Sequence, residues 1–389
     1  MNDEETRGRA AQVLEDAIRD ALPSMVESVQ RGALHASMVE RKVAEVLGAK
    51  LREALPDLDV GVSLREKLES AVVTLTAEYL TTPPAPRDWL LMRPDDTARE
   101  GAAGVFPAGK VGMLAAAGGA GKTAALVRLA LAVATGRPWF DGGWFPPTRG
   151  RVLLALGEED ADEIKRRVYN TALQMNLDAA QRANAIANIT ALPLAGIPLP
   201  FVQQGQNGNA VETEGLDAIR DILEKHAGDG WRLLIFDPLS RFASSDAEKD
   251  NAQATRLIQA FECLTSVKGG PGVLVAHHTS QQSRKDGDAS TSAARGVTAL
   301  TDGVRWVASL TPRNESAWRR TELALTKTNY GPPAEPLYLV NEGGVLRAET
   351  DAEEAQRERS TDADSTPPAA RPGKSATRGP KAQPNVSDD

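Results

Sequence analysis

Two hydrophobic patterns alternate through the middle of the chain. Unbroken apolar runs occupy Val111–Ala115, Arg151–Leu156, Trp231–Asp237 and Gly272–Ala276, and such runs fit strands buried on both faces of a sheet. Between them, apolar positions recur at helical spacing: after Lys122 as far as Leu131, around Ile164 and Val168, and from Asn251 through Val267. Residues 170–230 read as helical and polar, with Pro193–Pro200 breaking them as a loop or short strand. Gly303–Leu310 and Thr321–Lys327 read as further strands, and Leu337–Val340 pairs with Val345–Leu346 across an Asn341-Glu342-Gly343-Gly344 turn. Strand and helix in alternation predict an α/β fold with a central, mostly parallel sheet flanked by helices.

The ends differ from the middle. Ala10, Val13, Leu14, Ala17, Ile18 and Ala21 keep helical spacing, as do Met38, Val43, Val46, Leu47, Leu51 and Leu55. Ser63 with Glu66 forms a capping box for a third helix. Thr81–Arg87 is proline-rich and extended, and Trp89–Met92 follows as an apolar anchor. From about Thr350 the chain turns to Ala, Pro, Ser, Thr and mixed charge, a composition expected to stay disordered. The expected organisation is a helical region at 1–80 for adaptor or oligomerisation contacts, a linker at 81–95, a main domain at 96–349 and a tail at 350–389.

Composition narrows the class. The 389 residues are 41% hydrophobic and 25% charged with a net charge of −8, so the chain is no globally basic nucleic-acid binder, although a single loop can still be locally basic. One cysteine, Cys263, excludes an internal disulfide and is expected to pack within its helix. No run reaches the roughly 18 apolar residues of a membrane span, and the first residues are acidic and polar, so a cytoplasmic, membrane-free protein is expected.

Chemistry concentrates after the first core strand. Ala116, four residues, then Gly121-Lys122-Thr123 reproduces the phosphate-binding loop with alanine at the first glycine position. Gly118, Gly119, Ala120, Gly121, Lys122, Thr123 and Ala124 are the expected nucleotide-binding residues. The loop turns backbone N–H groups inward at an anion and the following helix adds its positive end. Lys122 would reach the β- and γ-phosphates of ATP, with Thr123 on Mg²⁺ and Asp237, closing the Trp231–Asp237 strand, opposite it. Glu158, Glu159 and Asp160 follow another core strand; one of them either orients the attacking water or caps a helix.

His277 and His278 end a strand, where neighbouring side chains take opposite faces; this suits a polar sensor of phosphate or water rather than a metal pair. Arg305, set in an apolar run, needs a carboxylate or phosphate partner. The aromatics Trp139, Phe140, Trp144 and Phe145 either cover a base or plug the core.

The ordered set of Ala117–Thr123, Glu158-Glu159-Asp160, Leu234–Asp237, His277-His278, Ala294-Arg295-Gly296, Val304-Arg305-Trp306 and Lys327–Gly331 resembles the plasmid RepA-type hexameric replicative helicases. The resemblance covers roughly Lys110–Ala348. It implies a RecA-like core and a homo-hexamer with ATP between subunits. Glu159 would be the base, with Glu158 its competitor. Arg305 would reach a neighbour's γ-phosphate, and Lys327 is a second cation for that interface. The loops Ser240–Asn251 and Ser280–Ala294 would face single-stranded DNA, with Arg241, Arg284 and Lys285 as candidate contacts and Phe242 as their one aromatic. The N-terminal helices lie outside the resemblance, and the partner expected of them is a replication initiator or primase. The alternative is a nucleotide-gated switch or scaffold that separates no strands.

Overall fold

The structure, a computed structural model, describes residues 9, 11–20, 47, 50, 64–98, 101–205, 209–244, 250–278, 298–315 and 318–364. The chain divides into two units, Met1–Pro86 and Arg87–Asp389. In the first, residues 11–20 are helical, as are α1 (Leu64–Ala71) and α2 (Ala77–Thr81). Val72, Val73, Leu75 and Leu80 are exposed there. Ser63, the expected cap, lies outside the described residues.

The second unit begins with an antiparallel ribbon, β1 (Trp89–Pro94) with β2 (Ala102–Pro107). The elements that follow are β3 (Val111–Ala116), α3 (Lys122–Thr135), β4 (Arg151–Leu156), α4 (Ala161–Gln174), α5 (Ala179–Asn188), β5 (Ile189–Pro193) and the short pair β6 (Val202–Gln204) and β7 (Ala210–Glu212). Next come α6 (Glu214–Lys225), β8 (Trp231–Asp237), α7 (Asn251–Leu264), β9 (Gly272–His278) and α8 (Thr298–Gly303). The chain then runs through β10 (Trp306–Glu315), β11 (Trp318–Thr328), β12 (Leu337–Glu342), β13 (Val345–Ala348) and α9 (Asp351–Asp364).

Nine strands form one sheet in the order β13-β12-β11-β10-β3-β9-β8-β4-β5. From β10 to β5 every neighbour is parallel, and β10 to β13 is an antiparallel meander. The alternation of side chains along each strand divides the core in two. Leu114, Leu154, Ile235 and Leu274 pack on the face that carries α3. Met113, Leu153, Leu234 and Val275 pack on the opposite face with Leu216 and Leu257 of α6 and α7. Covering both faces is what makes these strands read as unbroken apolar runs.

Helix α3 is buried nearly all round, which accounts for its apolar sequence. It ends at Gly136, left-handed at φ 80°, whose N–H bonds to the Ala132 carbonyl. Asp160 caps α4 by accepting from the Glu163 N–H at 2.8 Å, and Asp178 with Gln181 forms a capping box on α5.

Several expectations are corrected. Residues 189–192, read as helical, and Pro193, read as the start of a loop or short strand, form the edge strand β5; its half-buried Ile-Thr-Ala-Leu stretch is too short to stand out from the helical pattern before it. Residues Thr298–Gly303 are helical and β10 starts only at Trp306, so Arg305 is not within an apolar strand. It is exposed between buried Val304 and Trp306. Its expected partner inside the core is therefore not required. Trp139, Phe140 and Trp144 are buried in the α3 cluster, and the Trp139 indole donates to the Ala125 carbonyl at 2.8 Å, so they plug the core and cover no base. Phe242 is buried among Phe201, Phe236 and Phe261, out of reach of a nucleic acid. Cys263 is exposed on α7 rather than packed.

Inside the stretch read as tail, α9 is attached through Arg347, whose guanidinium holds Glu353 at 2.7 Å and Glu342 at 2.8 Å. No helix among the described residues is long and apolar enough to cross a membrane.

Candidate nucleotide site

Register levels the strand ends. Ala116 pairs with His278 and Leu156 with Asp237, so the carboxyl ends of β3, β9, β8 and β4 meet along one edge, where open parallel sheets bind ligands. A cavity of about 280 Å³ opens there, lined by Ala117, Gly119, Gly121, Lys122, Thr123, Ala124, Glu158, Arg167, Asp237, His278, Asn341 and Gly344.

The loop from β3 into α3 depends on two left-handed glycines. Gly119 has φ 78° and faces open space; Gly121 has φ 87°, caps α3, and a Cβ there would come within 2.9 Å of Leu346. Ala120, expected to bind nucleotide, packs into the core, whereas Gly118 and Gly119 leave room for a ligand beside the helix start.

Lys122 is buried at the base of the cavity. Its Nζ lies 3.4 Å from Asp237 Oδ1 and 2.9 Å from His278 Nε2. An ammonium has only donors, so this contact has the imidazole accept at Nε2 and keep its proton on Nδ1. Burial pushes the Lys122 amine below its usual range, and the Asp237 and Glu158 carboxylates oppose the shift. The Thr123 hydroxyl donates to Asp237 Oδ2 at 2.7 Å. His277 is buried while His278 reaches the cavity, as their alternation requires.

The three acids after β4 separate. Glu158 lines the cavity, with Arg241 Nη2 3.7 Å from its carboxylate. Glu159 turns aside to Arg167 Nη2 at 2.8 Å and is not among the lining residues. Asp160 caps α4.

The remaining candidates lie elsewhere. Arg284 and Lys285 fall outside the described residues, as do Ala294-Arg295-Gly296 and most of the loops expected to face DNA. The Arg305 backbone N–H bonds to the Val111 carbonyl at 3.1 Å, at the start of β3. One strand length, roughly 17 Å at about 3.3 Å per residue, separates it from its own phosphate loop. Lys327 donates to the Thr301 and Asp302 carbonyls at the end of α8, and burial lowers its pKa. Asn329 is exposed, and Gly331 abuts the Gly104 carbonyl where any Cβ would lie within 2.3 Å, so this motif packs against β2.

Arg167, Asn341 and Gly344 are lining residues that sequence reasoning misses. Asn341 and Gly344 are legible only as a hairpin turn, and Arg167 only as one charge on a polar helix.

Fold and loop together define a P-loop ATPase domain built on a mostly parallel sheet flanked by helices. A family model described as AAA domain matches residues 65–284, and the chain belongs to that family. Two solved structures are similar. One is described as an ATPase domain, with 17% identity over 62% of this chain and 85% of that one at a TM-score of 0.42. The other is a KaiC-like protein from the hyperthermophilic archaeon Pyrococcus horikoshii OT3, with 12% identity over 69% of this chain and 100% of that one at a TM-score of 0.41.

Proposed function

We propose that this chain is an ATP-hydrolysing ring ATPase that translocates on single-stranded DNA, a helicase of plasmid, phage or mobile-element replication. In this reading six copies share their sites, each lending Arg305 to the next. The observation that carries it is the place of Arg305: exposed, and a full strand length from its own phosphate loop, it is out of reach of its own nucleotide, as a finger lent to a neighbour would be. The ordered motifs support the helicase assignment.

Within one copy, the loop N–H groups and Lys122 would hold the β- and γ-phosphates. The Thr123 hydroxyl and the Asp237 carboxylate are the hard oxygen donors that Mg²⁺ takes beside phosphate. Bound there, the ion would neutralise phosphate charge. Glu158 is favoured over Glu159 as the base because only Glu158 lines the cavity while Glu159 is engaged by Arg167. It would take a proton from the water that attacks the γ-phosphorus as the bond to the β-phosphate oxygen breaks and ADP leaves. His278, held by Lys122, would keep that water or the γ-phosphate in place.

The test is the ATPase rate with and without single-stranded DNA, with native mass measured in the presence of nucleotide. Stimulation from a six-copy particle is expected. A flat rate from a monomer would replace this reading with that of a nucleotide-gated switch.

A further inference from the structure

The cavity is nearly balanced in charge before any nucleotide enters. Its lining carries two carboxylates, Glu158 and Asp237, and two cations, Lys122 and Arg167. Besides Lys122, Arg167 is the one cation of the lining among the described residues, facing two carboxylates before Mg²⁺ and the triphosphate arrive. Helix geometry selects it over its neighbour. Arg166 is exposed and pairs with Glu163, whereas Arg167, one position on, turns to the cavity.

Arg167 is held by exchangeable partners. Its Nη2 lies 2.8 Å from Glu159 and its Nε 3.1 Å from Glu163, and about a third of the side chain is exposed. A guanidinium matches carboxylate and phosphate oxygens in the same planar, two-pronged manner. Replacing one by the other keeps its ion pair. Glu159 is next in the chain to Glu158, and the Glu158 carboxylate is close enough to act on the Lys122 amine.

We infer that Arg167 is a sensor of the γ-phosphate within its own subunit, trading the Glu159 carboxylate for the terminal phosphate when a triphosphate binds. The inference rests on the nucleotide reading above. It gives Glu159 the task of holding Arg167 in the diphosphate or nucleotide-free state. It also makes α4 the element that registers whether the third phosphate is present.

The experiment measures binding of β,γ-imido ATP and of ADP, with Mg²⁺, to the full chain by calorimetry. Arg167→Ala is expected to weaken the triphosphate analogue about tenfold or more, the worth of one hydrogen bond to a charged group, and to leave ADP unchanged. Glu159→Gln loosens the resting pair and is expected to tighten the analogue with ADP unchanged. Equal losses for both nucleotides in Arg167→Ala, or no loss for either, overturn the sensor while the nucleotide site stands. Weaker analogue binding in Glu159→Gln overturns it too, and decides the matter if Arg167→Ala fails to fold. Wild-type chain that binds neither nucleotide removes the site itself.

Discussion

The hydroxyl of Thr123 and the carboxylate of Asp237 meet at 2.7 Å although 114 positions separate them. The bond joins the first turn of α3 to the end of β8, with β9 between their strands. Each group therefore fixes the rotamer of the other before a cation arrives.

Replacing Thr123 by Val keeps the shape and removes that donor from a buried carboxylate. A loss of about 1–2 kcal/mol in unfolding free energy is expected, read from urea midpoints, and Mg²⁺ should no longer strengthen nucleotide binding. Thr123→Ser should restore both. A Val variant that still responds to Mg²⁺ would remove Thr123 from the cation site.

The two glutamates after β4 make opposite forecasts. Glu158→Gln should lower kcat by about 10²–10⁴, the usual contribution of a general base, with nucleotide affinity preserved. Glu159→Gln should retain most turnover, because its carboxylate is engaged outside the cavity. Steady-state rates at saturating ATP decide between them, and the reverse ranking would return the base to Glu159.

Arg305→Ala tests the shared site. Turnover should fall by about 10³–10⁵, as when an arginine finger is lost, while each subunit still binds nucleotide. Mixing it with a Lys122→Ala chain should recover activity, since some interfaces then combine an intact loop with an intact Arg305. Full activity of Arg305→Ala alone would sever the guanidinium from catalysis.

Lys122 gives the stability a pH signature. Its folded pKa is lowered from 10.5, chiefly by burial. Between the depressed value and 10.5 the unfolded chain binds more protons at this site than the folded chain, so stability contributed by Lys122 rises with pH across that window. The charged amine costs most below it. Urea midpoints from neutral pH up to 10.5 should show this rise in wild type and lose it in Lys122→Met. Parallel curves would mean that burial does not govern the amine.

Much of this arrangement is legible in the sequence because its signals are local. The strands β3, β4, β8 and β9 are covered on both faces and read as apolar runs, and the glycine loop, Asp237 and His278 stand at their ends, where parallel register levels them. Sequence alone misplaces Arg305 because its apolar run reads as all strand, whereas the chain there is still passing from α8 into β10. Arg167 and Asn341 escape notice for another reason. One comes from the second turn of a polar helix and the other from a hairpin in the antiparallel half of the sheet, and only the tertiary fold brings them to the same cavity. Edge strand β5 is only half-buried, and its short Ile189–Leu192 stretch cannot be told from the helical pattern before it.

The placement of β3 between β9 and β10 also governs when this protein can mature during synthesis. The strand that launches the phosphate loop is made early, yet both of its hydrogen-bonding neighbours come from the far side of residue 271. A nascent chain must hold those six apolar residues unpaired until well over a hundred more have been translated, a period of exposure of the kind that invites aggregation. Translation pauses or truncations upstream of β10 would therefore leave the ATP loop without one wall of its support.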